Sequence, residues 1–306
     1  MGSYKKLFGA LAGLGCLASS YACDICGCGS GGVFLGMMPS YKKYFTGVRY
    51  QYRKYNSHIG SGTGLLRTSE NFLTAEWFRG MRVGKKMQLM AFVPYQWHRQ
   101  QSILQKAAVS GLGDVSVMAT VKVVETMQLT EDNTMHMHTL HVGGGVKLPS
   151  GKWRFTEGDN LGQHANFMPG TGSLDWMGIA LYQYSAGNLG VAGSAMYRLT
   201  SANANEYRFG NRGQFAAQSF YHVKLKGKAR ITPNVGLMYE TMAQDKVQRS
   251  KVFESGGHLL NGLLGVEFSK GNLAGGVVVQ PPLVQNLSNG EVKNLGRGLV
   301  YLTVVF

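Results

Sequence analysis

The sequence predicts an all-β fold, a transmembrane antiparallel up-and-down β-barrel of about twelve strands. Three observations predict it. Side-chain polarity alternates with a period of two along most of the chain after residue 43, the connections between alternating segments are short and long in turn, and the chain ends on an aromatic residue that closes the last such segment. Composition agrees: 44% apolar residues exclude a disordered chain, and 43 glycines with only 15% charged residues exclude a coiled coil. The 31 basic residues against 16 acidic ones give a net charge of +15. That excess suits nucleic acid, an anionic membrane surface or anionic solutes, and does not choose among them.

Residues 1–22 carry two lysines, an apolar stretch from Leu7 to Ala18 and a small-residue site at Ser20-Tyr21-Ala22, the layout of a secretory signal peptide. No later run reaches the ~20 apolar residues of a spanning helix. Residues 23–43 are expected to form a periplasmic segment that holds Cys23, Cys26 and Cys28 in CDICGCG. Three readings of these cysteines stand open: a soft-metal site for copper or zinc with Met37 or Met38 as a further ligand, one disulfide plus a free thiol, or a lipid anchor at Cys23. No other cofactor is expected.

Residues 44–306 carry the barrel pattern. Val48, Tyr50 and Tyr52 alternate with Arg49, Gln51 and Arg53; Leu89, Ala91, Val93, Tyr95 and Trp97 alternate with polar neighbours; Val115 to Val123 repeats the rhythm, and further copies run to Val300–Phe306. Short turns are expected near residues 83–86, 185–188, 224–228 and 270–272, with a somewhat longer one near 126–134. Long connections are expected near 57–69, 100–113, 149–172, 200–213, 241–257 and 281–297. This asymmetry separates periplasmic turns from extracellular loops. Tyr52, Tyr55, Trp97, Tyr182, Tyr197, Tyr221 and Tyr239 lie near segment ends, where interfacial aromatics belong. By the same alternation Val117 faces lipid and Thr120 the lumen, so Thr120→Arg is expected to be tolerated.

A barrel of this strand number leaves a lumen wider than that of an eight-stranded barrel. Its expected lining includes Arg49, Arg53, Arg79, Lys122, Lys147 and Arg198 with Glu76, Asp175, Glu240 and Glu267. Bases outnumber acids there, which favours anions or polar neutral solutes; the alternative is that these residues merely pair across neighbouring strands. MHMHTLH from Met135 invites a copper reading, but a strand puts His136 and His138 on one face and Met135, Met137 and His141 on the other. No catalytic motif stands in a suitable context, so no enzyme is expected. Nucleic acid is not expected either, because the basic residues form no dense run; loop lysines fit lipopolysaccharide better. Phe306, with Val304, Leu302 and Val300 on its face, is the expected signal for the barrel-assembly machinery.

The segments SGLGDVSV from Ser110, GGGVKLPSGK from Gly143, PGTGSLDW from Pro169, YRFGN from Tyr207 and the terminal RGLVYLTVVF together resemble the outer-membrane transporter family named after the meta-cleavage pathway of phenol degradation. The resemblance runs from about Tyr41 to Phe306. It implies an outer-membrane barrel and passive passage of small, often hydrophobic or aromatic compounds. The CDICGCG leader lies beyond that pattern. Two functions are therefore carried forward, a channel for small solutes and a metal-binding outer-membrane protein.

Overall fold

The computed structural model describes residues 44–57, 67–103, 106–153 and 165–306. The signal peptide, Cys23, Cys26 and Cys28, and Met37 and Met38 lie outside the described residues.

Alternation becomes twelve antiparallel strands. They are β1 (Tyr44–Ser57), β2 (Thr68–Val83), β3 (Met87–Ser102), β4 (in two stretches, Lys106–Leu112 and Ser116–Leu129), β5 (Met135–Lys147) and β6 (Asp175–Ala186). Then follow β7 (Leu189–Leu199), β8 (Arg212–Tyr221), β9 (Ala229–Met242), β10 (Gly257–Lys270), β11 (in two stretches, Leu273–Gln280 and Pro282–Leu287) and β12 (Val292–Val305). Each strand pairs with its neighbours in the chain, and β1 pairs with β12. The last rung is made by the terminal residue: Tyr44 N–H donates to Phe306 O at 3.1 Å, and Phe306 N–H donates to Tyr44 O at 2.9 Å. Closure removes the free sheet edge, the condition for a sheet to sit in hydrocarbon.

The outer face is the apolar one. Val48, Trp77, Val117, Leu237, Leu264, Val277 and Val300 are exposed, as are the aromatic rings of Tyr52, Trp97, Tyr182, Tyr197, Tyr221 and Tyr239. Tyr55 differs from this expectation. It sits at a strand end but points inward, is buried, and packs edge-on against Phe72. Arg79 also departs from its expected place. It shares its side of β2 with exposed Trp77 and Met81, while Glu76, Phe78 and Gly80 point inward. Thr120 does enter the lumen, but it is fully buried, so an arginine there has no room and is not expected to be tolerated.

Two expected long loops are instead strand. β3 and β4 pair from Tyr95↔Leu112 out to Gln101↔Lys106, and β10 pairs with the second stretch of β11. At the opposite end, residues 123–131 are exposed on both faces, so the β4–β5 hairpin projects beyond the barrel.

The inner face is less polar than in a simple water-filled pore. Phe45, Met90, Phe92, Met118, Met177, Ile179, Met196 and Val305 form one buried cluster inside the barrel. Inward aromatic rings also cover glycines on the adjacent strand. Phe45 is the register partner of Gly80, Phe78 of Gly47 and Phe220 of Gly190, and a Cβ on any of these three glycines would strike the ring.

Candidate functional site

Asp114 sits in the gap between the two stretches of β4, Lys147 closes β5 and Asp175 opens β6. These three buried side chains meet. Lys147 Nζ lies 2.6 Å from Asp114 Oδ2 and 3.1 Å from Asp175 Oδ2. A buried ammonium needs such company, because an unpaired charge in a dry site carries a large desolvation cost.

The segment after residue 164 closes around this pair. Thr171 donates to Asp114 Oδ2 through its N–H at 3.0 Å and its hydroxyl at 2.6 Å, while Lys147 donates to the Thr171 hydroxyl and to Ser173 O. Ser173 Oγ–H donates to Asp175 Oδ1 at 2.9 Å, and Gly151 N–H donates to Asp114 Oδ1 at 2.9 Å. Gly151 and Gly170 touch backbone to backbone: a Cβ built on either would lie 2.7 Å from the other's Cα. The GLGD, KLPSG and PGTGSLD segments are thus the three parts of one clamp.

From this clamp, residues 165–170 cross the lumen. Phe167 O accepts a hydrogen bond from His98 Nδ1 at 2.7 Å, and Pro169 O accepts one from Gln96 Nε2 at 3.0 Å. Phe167 and Met168 pack in one buried cluster with Tyr55, Phe72, Leu259, Leu287 and Val292. Those five residues belong to β1, β2, β10, β11 and β12, the wall opposite β5 and β6 in the ring order. The segment is therefore anchored at one wall and rests on the other.

In the connections between barrel strands, Trp153, Tyr207 and Phe209 pack together with Ala165 and Val247. Asp245 ties into this cluster through Tyr207. Its carboxylate accepts from the Tyr207 hydroxyl at 2.7 Å and from Gly210 N–H at 2.5 Å. Burial pushes the Asp245 carboxyl up to about 6, against the pull of the nearby Arg212 and these two donors.

Most of the expected lining residues face inward, but several neutralise one another. Arg49 pairs with Glu76 on the adjacent strand, and Lys122 lies 2.6 Å from Glu125. Lys147 and Asp175 belong to the clamp, and Arg198 lies in electrostatic reach of Asp175 and Asp114. Glu267 accepts from the Tyr301 hydroxyl at 2.5 Å. Arg53 faces Arg297 on the β1–β12 ladder, and Arg297 pairs with Glu240 at 2.6 Å. Asp114, Thr171, Ser173, His98, Arg212 and Arg297 were not singled out by sequence reasoning. The first three stood inside the recognised motifs and could have been found there.

His136 and His138 face outward and meet the Tyr184 and Tyr182 hydroxyls, each at 2.8 Å. Among the described residues, no group of three or more His, Cys, Asp or Glu side chains converges as a metal site.

The sequence matches a protein family described as "Putative MetA-pathway of phenol degradation" over residues 52–280. The fold superimposes on an outer membrane channel from Pseudomonas putida F1 with a TM-score of 0.60 and 13% identity, covering 88% of this chain and 98% of that one. The translocator domain of the autotransporter NalP from Neisseria meningitidis aligns with a TM-score of 0.46 and 13% identity, over 89% of this chain and 91% of that one. No curated protein matches the sequence. The family match spans most of the barrel, and the likeness to the Pseudomonas channel is one of fold; the chain belongs to this family and is an outer-membrane β-barrel.

Proposed function

We propose that the protein is a passive channel for small solutes, narrowed by its own residues 165–170, and that it carries out no covalent chemistry. The observation that carries this reading is the segment held at both walls, which leaves the lumen partly filled while the barrel is closed. His98, the fully buried histidine, meets two carbonyl oxygens, Phe167 O and Gln96 Oε1, and no nucleophile among the described residues. Lipid meets the outer face. Exposed Lys152, Arg249 and Lys251 in the connections near the clamp fit lipopolysaccharide phosphates, and Phe306, exposed at the end of β12, fits recognition by the assembly machinery.

Planar-bilayer recording on the purified full chain tests the reading. Wild type is expected to conduct. Phe167→Ala, which removes the ring resting on Phe72 and Leu259, is expected to raise single-channel conductance about twofold by widening the constriction. A folded barrel that passes neither ions nor small solutes in either form would overturn it.

A further inference from the structure

An arginine on the lipid face of a barrel is costly at the bilayer midplane and tolerable only where its head reaches the headgroup layer. Arg79 is such a residue. It stands exposed on the outer face of β2 between exposed Trp77 and Met81, and no ion pair joins it among the described residues. Its partners across the sheet are the small side chains of Thr46 on β1 and Ala91 on β3. The acidic residues of β1, β2 and β3, Glu70 and Glu76, are both buried on the inner face. The outer wall here offers the cation no counter-charge.

Register sets its height on the wall. Tyr52, Leu73 and Trp97 make one row across β1, β2 and β3 toward the long connections, and Tyr44 and Met81 share a row near the short turn after Val83. Such rings mark the two membrane interfaces, and the short turns mark the periplasmic one. Arg79 lies two residues to the hydrocarbon side of the Tyr44 row, about 5 Å along the axis of a barrel with the usual strand tilt. From there a snorkelling guanidinium reaches the headgroups of the periplasmic leaflet. Arg82, Lys85 and Lys86 stand exposed at the adjoining turn and add to the positive field. We propose that Arg79, backed by Lys85 and Lys86, binds the phosphate of an anionic phospholipid of the periplasmic leaflet, whose acyl chains rise along the row of Val48, Trp77 and Val93. A zwitterionic headgroup brings its own ammonium into the field of these cations and finds no carboxylate for it, so phosphatidylglycerol is favoured over phosphatidylethanolamine.

Native mass spectrometry of the full chain, released from detergent containing equal amounts of phosphatidylglycerol and phosphatidylethanolamine, reads the ratio of the two lipids retained. Wild type is expected to retain phosphatidylglycerol about fivefold over phosphatidylethanolamine, and Arg79→Gln to bring the ratio close to one. The paired change Lys85→Gln and Lys86→Gln lies in an exposed turn and is expected to lower the ratio about twofold; where Arg79→Gln does not fold, an unchanged ratio in this paired variant would overturn the site. Lys106→Gln removes the same charge from the hairpin at the opposite end and is expected to leave the ratio as it is. Excess inorganic phosphate, which has no chains to lie on the wall, is expected not to displace the lipid. No preference in the wild type, an undiminished preference in Arg79→Gln, an equal loss in Lys106→Gln, or displacement by inorganic phosphate would each overturn the lipid site.

Discussion

Lys147 shows how one residue governs the upper lumen. Its ammonium is the only cation within direct contact of Asp114 and Asp175 among the described residues, and all three are buried. Lys147→Met keeps the bulk but leaves two carboxylates facing each other in a dry site. The expected cost is about 3–5 kcal/mol, read as a lower urea midpoint for loss of the heat-modifiable form and as faster hydrogen exchange in residues 165–175. Asp245 gives a pH dependence. Its folded value of about 6 lies above the ordinary carboxyl value, so the folded loop holds the proton more tightly than the unfolded chain does. The net stability of this folded loop should therefore rise as pH falls through 6, because the buried charge is removed, and gain nothing further below about 4. Limited proteolysis of residues 243–256 should be slower at pH 5 than at pH 8, with a protease active at both, and Asp245→Asn should abolish the difference. At this scale the sequence gives parity but not partners. Alternation placed Arg49, Arg53, Glu76, Lys122, Lys147, Asp175, Arg198 and Glu240 inward, and Arg79 was misplaced because it lies an odd number of residues from Glu76.

Strands were the most legible elements, because a membrane barrel has only two environments and each residue must suit one of them. Leu264 illustrates the rule: it is half-exposed on the outer face of β10, six residues from the strand end at Lys270. Leu264→Arg should cost about 2–4 kcal/mol near the bilayer midplane, measured by reversible unfolding into lipid, whereas a cost near zero would place this face away from lipid. What alternation does not mark is where a strand leaves the membrane. β3 and the first stretch of β4 continue as a hairpin, with polar Arg99, Gln100 and Gln101 on β3 against small Ala107 and Ala108 on β4, and β11 resumes after Pro281 with a register shift at Leu260/Asn261. Both stretches read as loops because they are short and interrupted, by Gly111 and Gly113 in one and by Pro281 and Pro282 in the other. The glycines facing Phe45, Phe78 and Phe220 were equally silent, since the need for them is set by the strand alongside.

For the whole molecule, family motifs carried more than composition did. The charge of +15 pointed to several partners, while GLGD, KLPSG and PGTGSLD converge on a single buried clamp in the folded chain. The course of residues 165–170 through the interior was not legible, because Phe167 and Met168 carry no mark of their destination until Tyr55, Phe72 and Leu259 arrive from distant strands. That course has a mechanical consequence. A hollow cylinder of strands is weakest against flattening, and a rod fixed to one side and bearing on the other resists that flattening along its own axis. Lateral pressure in the bilayer should therefore squeeze this barrel more easily at right angles to the brace than along it, and cutting the brace should soften the cylinder as a whole.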